Sequence, residues 1–385
     1  MLNYIVVEDI NELKFNISFA KIIVAKDYLF NFERNKNEKI IIFNFCKSYT
    51  YQSIGYYVSL IALARNHIVY PSIDNILKIN KNKNKNKRKS NSFNLAILLN
   101  KEEKIPPSDN TAIEKFVEQG RSIGFNVEII SKADINRLNK FDALFIRETT
   151  SIEDHTFKIA KLAYNNNIIV IDDPKSIVRC TNKVYLTELL KYHNIQQPKT
   201  IIISKYNIDN VLNLFNFPFV LKLPDSSFCQ GVIKINNKEQ YYENIFLFLQ
   251  KSDLIIAQEF IKTNYDWRIG ILNNKVIYAC KYFMVKNHWQ IVNWDSLKKV
   301  EGEVKTFKIK NVPLEIINTA LKTTKHIGNG FYGVDLKVKN NICYIIEVND
   351  NPSIESESED LVLGNKLYKT IMEYFLEQLL ISRKC

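Results

Sequence analysis

The sequence predicts two architectures in tandem, an α/β portion followed by an α+β portion, and three observations carry that prediction. Between 94 and 173, apolar runs of strand length alternate with helical stretches, the pattern of a small parallel sheet. From about 195 onward the strands dominate and include hairpin pairs, the pattern of an α+β body with antiparallel hairpins. A polar, basic, repetitive run at 81–90, KNKNKNKRKS, separates both from what precedes them.

Taken in order, NYIVV (3–7) and KIIIFN (39–44) read as strands, and 50–66, TYQSIGYYVSLIALARN, carries apolar residues at helical spacing. After the basic run, 94–99 is a strand and 110–123 a helix ending at Gly124. Strands follow at 126–130, 143–147 and 167–173, with a helix at 152–166 before the last. Pro174 and a helix at 182–193 lead into the α+β portion. Its strands lie at 200–204, 217–224, 231–235, 254–261, 267–272, 275–284, 331–338 and 342–349. Its helices lie at 207–215, 238–250, 312–326 and 361–380. The expected domains are therefore 1–80, a linker at 81–91, an α/β domain at 92–180 and a final domain at 181–385.

With 385 residues, 46% of them hydrophobic and 24% charged, the chain is long enough for two or three domains of ordinary globular composition. No apolar run approaches the roughly 20 residues of a membrane span. The opening MLNYIVVEDINEL carries acids early and no basic n-region, so a cytoplasmic protein is expected. The six cysteines are scattered without a CxxC pair, which reads as reduced core thiols and not as a zinc or disulfide framework. The formal charge of +12 could serve a polyanion, but Lys and Asn are abundant throughout and no nucleic-acid motif accompanies them. Nucleic acid and membrane are accordingly not expected as partners.

The stretch 345–355, IIEVNDNPSIE, places a carboxylate and an amide inside an apolar strand. If Val334, Leu336 and Val338 pair with Val348, Ile346 and Tyr344 around a loop of three residues, Lys339-Asn340-Asn341, the apolar side chains share one face. Asp335 then stands opposite Glu347 on the other face, with Asn349 two residues on. Two carboxylates and an amide that close suit a hard cation such as Mg²⁺. An amphipathic hairpin with one solvated face is the competing reading.

Three further elements bear on anion binding. Lys222 lies in the strand FPFVLKLP and is followed by a small polar loop ending at Gly231, an arrangement that can hold phosphates. Its alternative is an edge lysine reaching for solvent. In LIIAQEFIKTNYDWRIGIL (254–272), a strand that stops pairing at Gln258-Glu259-Phe260-Ile261 could offer backbone groups to an adenine edge. Asp266 and Arg268 alternate onto one side of the next strand, where the alternative is a surface ion pair. Lys183 opens a helix, where the macrodipole does not favour a cation; phosphate contact would explain it, and a solvated lysine is the alternative.

In this order the elements resemble the ATP-grasp superfamily, and in their particular forms its RimK-like carboxylate–amine ligases; the match spans about 91–380. FDALFIRETT (141–150) and IVIDDPKSIVRCTNKVYLTELL (169–190) are similar to the pre-grasp domain running into the first grasp lysine, and EVNDNPSIE to the closing metal motif. FNFCKSYTYQSIGYYVSLIALARNHIVYPSIDNI resembles the N-terminal domain fused to one bacterial branch of these ligases, here in shortened form. The resemblance implies an ATP-grasp fold preceded by a small parallel α/β pre-grasp domain and a short N-terminal α/β domain. It implies that Lys183 and Lys222 bind ATP phosphates under a loop carrying Ser226, Ser227 and Gly231. Gln258, Glu259, Phe260 and Ile261 would line the adenine pocket and Asp266 would hold the ribose. Asp335, Glu347 and Asn349 would hold one or two Mg²⁺, with Mn²⁺ as a substitute. Arg268 and Lys281 would lie near the γ-phosphate and acyl substrate. His288, Gln290 and Asn293, on the family's flexible loop, would contact phosphate or substrate. The departure is a glycine-poor loop, SSFCQG.

The implied activity is ADP-forming ligation of a carboxylate to an amine through an acyl phosphate, with an amino acid, a peptide or a protein tail as substrate. The rival readings are a binding protein that keeps the fold without catalysis and a basic nucleic-acid-binding protein.

Overall fold

The structure is a computed structural model that describes residues 1–12, 19–32, 38–82, 92–226, 231–293 and 300–384. Most of the basic run at 81–90 lies outside the described residues. The chain forms two compact units, and each is built from two separated segments. The first takes Met1–Lys78 with Asn182–Ile261, and the second takes Ile79–Thr181 with Lys262–Cys385.

The first unit holds two sheets. One is parallel, in the spatial order Lys21–Val24, Leu2–Val7, Ile40–Asn44, Ile68–Tyr70. Sequence reading finds its two central strands and misses the two outer ones, whose three or four residues are too few to show a period. Ser53 caps the helix Ile54–Ala64 by accepting from Tyr56 N. That helix is apolar on nearly every side and is buried accordingly. The other sheet is antiparallel, in the order Val232–Ile235, Phe219–Lys222, Ile255–Glu259, Thr200–Ile203. Helices Asn210–Leu214 and Lys238–Leu249 cover one side through Val211, Tyr241, Ile245 and Phe248. The two halves of the unit are joined through helix Lys183–Tyr192, whose Glu188 pairs with the buried Arg65 at 2.8 Å. Tyr57 Oη and Ser252 Oγ add a contact of 2.8 Å.

The second unit also holds a parallel sheet, in the order Phe125–Ile130, Phe93–Leu98, Ala143–Ile146, Ile169–Ile171, as the alternation at 94–173 predicts. Pro174 starts a helix, Pro174–Thr181, over which the sequence reading placed none; its missing N–H is not needed at that position. The unit's antiparallel sheet runs Val304–Phe307, Lys275–Phe283, Tyr265–Leu272, Phe331–Lys339, Ile342–Asp350. Gly270 is required there, because a Cβ at that position would stand 2.0 Å from the Tyr278 ring. The last helix starts at Asn365, not 361, because Gly364 has a φ of +53°. One core joins Phe116 and Phe145 of the parallel layer to Tyr278 and Phe331 of the antiparallel layer and to Tyr368, Ile371 and Phe375 of that helix.

Cys46, Cys180, Cys280 and Cys343 are buried and form no disulfide among the described residues, and Cys229 and Cys385 lie outside them. Among the described residues no helix is long and apolar enough to cross a membrane.

Candidate active site

The expected functional residues fall into two groups, one in each unit. In the first unit Lys222 ends a buried strand and its Nζ donates to Gln258 Oε1 at 2.7 Å; Gln258 Nε2 in turn donates to Thr200 Oγ1 at 3.0 Å. Alternation on the paired strands fixes this face, since Val220 stands opposite Gln258 and Lys222 opposite Ile256. Pairing persists through Glu259, whose N–H donates to Lys199 O at 2.8 Å. Glu259 is exposed and Ile261 buried, while Lys234 Nζ stands 5.3 Å from the Phe260 ring centroid.

Lys183 is the first residue of its helix, capped by Asn182 Oδ1, which accepts from Val184 N and Tyr185 N at 3.1 Å. Its Nζ donates to Ser226 O at 2.7 Å, and Tyr51 Oη donates to Asp225 Oδ2 at 2.6 Å. Ser226 Oγ is buried with no hydrogen-bond partner among the described residues. Buried polar groups of that kind favour an incoming polar ligand. Gly231 has a φ of +68° and its carbonyl accepts from Leu223 N at 2.9 Å. Ser227 lies outside the described residues. Tyr51 and Thr200 carry no motif and were not legible as members of this group.

In the second unit the hairpin Phe331–Lys339 and Ile342–Asp350 does set Asp335 opposite Glu347, and Gly333 opposite Asn349. The expected register holds only beyond Asp335, however. The loop is two residues, Asn340 and Asn341, with φ of +52° and +61°, the left-handed pair of a type I′ turn. Leu336 therefore pairs with Ile345 and Val338 with Cys343, not with Ile346 and Tyr344, and a bulge between Asp335 and Leu336 absorbs the extra residue. The bulge lets Ile345 and Val348, three apart, both turn into the core, which strict alternation forbids.

Arg268 pairs with Asp335 across the neighbouring strand, with Nε to Oδ1 and Nη2 to Oδ2 both at 2.7 Å. Asn349 Nδ2 donates to Asp335 Oδ2 at 3.0 Å. Burial opposes the Arg268 charge, but Asp335 and its neighbours hold the guanidinium well above the ordinary arginine range. The Arg268 guanidinium also lies 4.8 Å from the Tyr282 ring centroid, and Tyr282 Oη donates to Glu359. Asp266 shares the face and takes Lys337 Nζ at 2.5 Å. Burial pushes the Asp266 carboxyl up and Asp335 adds to the push, against Lys337 and Thr263. Lys337 was not anticipated, although its alternation with Asp335 was available from the sequence.

Lys281 is not brought to this face. It stands opposite Trp267, and its Nζ lies 3.9 Å from the Tyr265 ring centroid, 4.8 Å from Trp267 and 5.4 Å from Phe307, on the side away from Arg268. His288 and Gln290 shape a turn in which Val285 N donates to Gln290 O at 3.0 Å and His288 N to Val285 O at 2.9 Å. Asn293 pairs with Val300 in a short ladder.

Among the described residues no cluster of three or more His, Cys, Asp or Glu could hold a metal. Asp335, Glu347 and Asn349 nevertheless fit a hard cation as a mixed set, two carboxylates and an amide on one face.

The family model for the RimK-like ATP-grasp domain matches residues 180–374, more than half of the chain. The chain belongs to the RimK-like ATP-grasp family. The model for the RimK-like ATP-grasp N-terminal domain matches residues 25–117. This RimK-like chain is 26% identical over 262 residues to the alpha-aminoadipate–LysW ligase LysX of Saccharolobus solfataricus, covering 63% of the chain and 90% of the relative. It is equally 26% identical over 262 residues to the tetrahydromethanopterin:alpha-L-glutamate ligase of Methanocaldococcus jannaschii, covering 65% and 86%. D-alanine–D-alanine ligase from Bacillus anthracis, complexed with ATP, superposes with a TM-score of 0.57 at 17% identity, over 76% of this chain and all of that one. The ATP-grasp ligase PsnB, complexed with a minimal precursor, gives 0.53 at 12% identity over 75% of this chain and 100% of that one. These structures bear on the fold alone, and the fold is that of the ATP-grasp enzymes. The RimK-like chain is accordingly a C–N bond-forming ligase of a family that uses ATP and a divalent metal.

Proposed function

We propose that the protein joins a carboxylate to the amine of an amino acid, splitting ATP to ADP and phosphate through an acyl phosphate. The observation that carries this reading is the Arg268–Asp335–Asn349 array facing Glu347 on one side of the hairpin. Asp335, Glu347 and Asn349 would hold Mg²⁺, or Mn²⁺ in its place, which when bound neutralises phosphate charge. Lys183 and Lys222 would neutralise the phosphates, and Ser226, Ser227 and Gly231 would contact them. The backbone of Phe260 and Ile261, just past the paired strand, would take the adenine edge, with Gln258 and Glu259 lining the pocket. Asp266 would take the ribose by exchanging Lys337 for a hydroxyl. His288, Gln290 and Asn293 would contact phosphate or substrate from their turn. Lys281, on the far face, has no part in this reading.

A carboxylate oxygen attacks the γ-phosphorus and the bond to the bridging oxygen of ADP breaks. The amine nitrogen then attacks the acyl carbon, the carbon–oxygen bond to phosphate breaks, and the ammonium proton is released. Arg268 stabilises the oxyanion of the second step, and none of these residues becomes covalently attached. The relatives' names pair them with α-aminoadipate and L-glutamate, both dicarboxylic amino acids, and the basic charge of +12 favours acidic substrates. Peptides and protein tails ending in glutamate belong in the same class.

The test is ADP release from Mg-ATP with pairs drawn from amino acids, dipeptides and acidic peptides, with mass spectrometry of the products. ADP release that requires one acid and one amine, with their condensed mass, is expected; hydrolysis or binding alone across the panel would count against it. Lys222→Ala should weaken ATP binding about tenfold or more, since a charged hydrogen bond contributes roughly 1.5–3 kcal/mol. An unchanged affinity by calorimetry would remove Lys222 from the phosphate role.

A further inference from the structure

The parallel sheet of the second unit ends in a cluster that the reaction above does not use. Glu148 follows the strand Ala143–Ile146, and Glu103 follows the strand Phe93–Leu98, so both lie beyond the carboxyl ends of parallel strands. Glu103 Oε1 accepts from Thr149 N at 3.0 Å and from Thr149 Oγ1. Glu148 is 2% exposed. Its Oε2 stands 2.5 Å from His155 Nε2, while His155 Nδ1 stands 2.5 Å from Asp154 Oδ1. An imidazole with a carboxylate at each nitrogen is satisfied as a double donor. Glu148 Oε1, by contrast, is buried with no hydrogen-bond partner among the described residues. A carboxylate oxygen left so carries a desolvation penalty that a donor would remove. Arg147 does not supply that donor, because its guanidinium turns the other way, to Pro107, Ser108 and Asn351.

The cluster adjoins the metal hairpin. Asn351 Nδ2 donates to Glu148 O at 2.5 Å, and Thr150 Oγ1 to Asp350 Oδ2 at 2.6 Å, directly after Glu347 and Asn349. Two carboxylates flank the imidazole and Glu103 adds its charge to Glu148, so the balance is negative, and among the described residues no metal-holding cluster forms here. A primary ammonium matches the charge and supplies the missing donor. We propose that Glu148, clamped by His155 beside Glu103 and Asp154, is the subsite for the ammonium group of the amine substrate. The identification of that ammonium as the amine substrate's rests on the ligase reading above; the ammonium site itself does not.

The full-length protein is titrated with L-glutamate and, separately, with N-acetyl-L-glutamate, which keeps both carboxylates and lacks the ammonium. The wild type is expected to bind L-glutamate at least tenfold more tightly. Glu148→Gln should bring L-glutamate down to the acetylated level and leave ATP affinity unchanged, and in turnover it should raise the KM for the amine more than it lowers kcat. Equal affinity of the wild type for the two probes, no binding of either, or full L-glutamate affinity in Glu148→Gln would overturn the proposal. If Glu148→Gln fails to fold, the two-probe comparison on the wild type still decides. Failure of the ligase reading shows separately, as absent ADP release.

Discussion

Glu347→Gln protein is expected to fold as the parent does and to release ADP roughly 10³ times more slowly. The side chain lies on the outer face of a hairpin whose inner face, Val334, Leu336, Ile345 and Val348, is packed without it. Substitution at such a position shifts stability by about 0.5 kcal/mol or less. The amide keeps the shape and removes the charge, so the proposed Mg²⁺ site would lose one of its two carboxylates. The transition state loses about 4 kcal/mol, which is the stated factor in rate. Steady-state ADP release and thermal melting, run on the same preparation, check both halves. A variant that turns over near the parental rate would dissolve the metal assignment, and a variant with a collapsed Tm would make Glu347 a structural residue.

The second large effect belongs to Arg147. Its guanidinium is fully buried, and burial lowers its pKa to about 10, yet it is satisfied on every side. It donates to Asn351 Oδ1 and Pro107 O at 2.5 Å, to Ser108 Oγ at 2.7 Å and to Pro352 O at 3.1 Å, and it lies over the Phe145 ring at 5.2 Å. Arg147→Ala would leave these acceptors without donors and open a cavity beside Phe116 and Phe145, at a cost of about 3–5 kcal/mol. At roughly 2–4 °C per kcal/mol, the melting temperature should fall by about 10 °C. Because Asn351 and Pro352 follow the hairpin of Asp335 and Glu347, activity should fall as well. Arg147→Lys should recover only part, since one ammonium cannot reproduce the fork. A drop of about 2 °C or less in Arg147→Ala would show that the loop is held by other means.

Much of this was legible because alternation is local. Asp335, Glu347 and Asn349 were placed on one face from the order of their neighbours, and they share it. What the sequence hid is where each hairpin spends an extra residue. Both hairpins of the large sheet turn on Asn-Asn pairs, Asn273-Asn274 and Asn340-Asn341, and both carry a bulge a few residues on. In the first, the bulge between Gly270 and Ile271 puts Lys281 opposite Trp267; an unbroken ladder would have set it opposite Asp266, on the face of Arg268. In the second, the bulge is what sets Asp335 against Glu347. A bulge is decided by side-chain packing across strands distant in the chain, so no local pattern announces it. Arg147 was hidden for a similar reason: an arginine after the run ALFI reads as a strand end, and the carbonyls that bury it come from 107 and 352.

Each unit is assembled from segments separated by roughly 100 residues of the other, and this bears on how the protein is made. As the chain leaves the ribosome, Met1–Lys78 must wait for Lys183–Tyr192 before helix Ile54–Ala64 can be covered. At about 5–20 residues per second that wait lasts roughly 5–20 s. The second unit waits longer still, for Asn365–Lys384 to reach Phe116 and Phe145. The nascent chain therefore carries a partly uncovered apolar helix until Lys183–Tyr192 has been made, exposed apolar surface of the kind that chaperones bind. Cutting the gene near 180 would leave both units open, and cutting it near 80 would leave the first open.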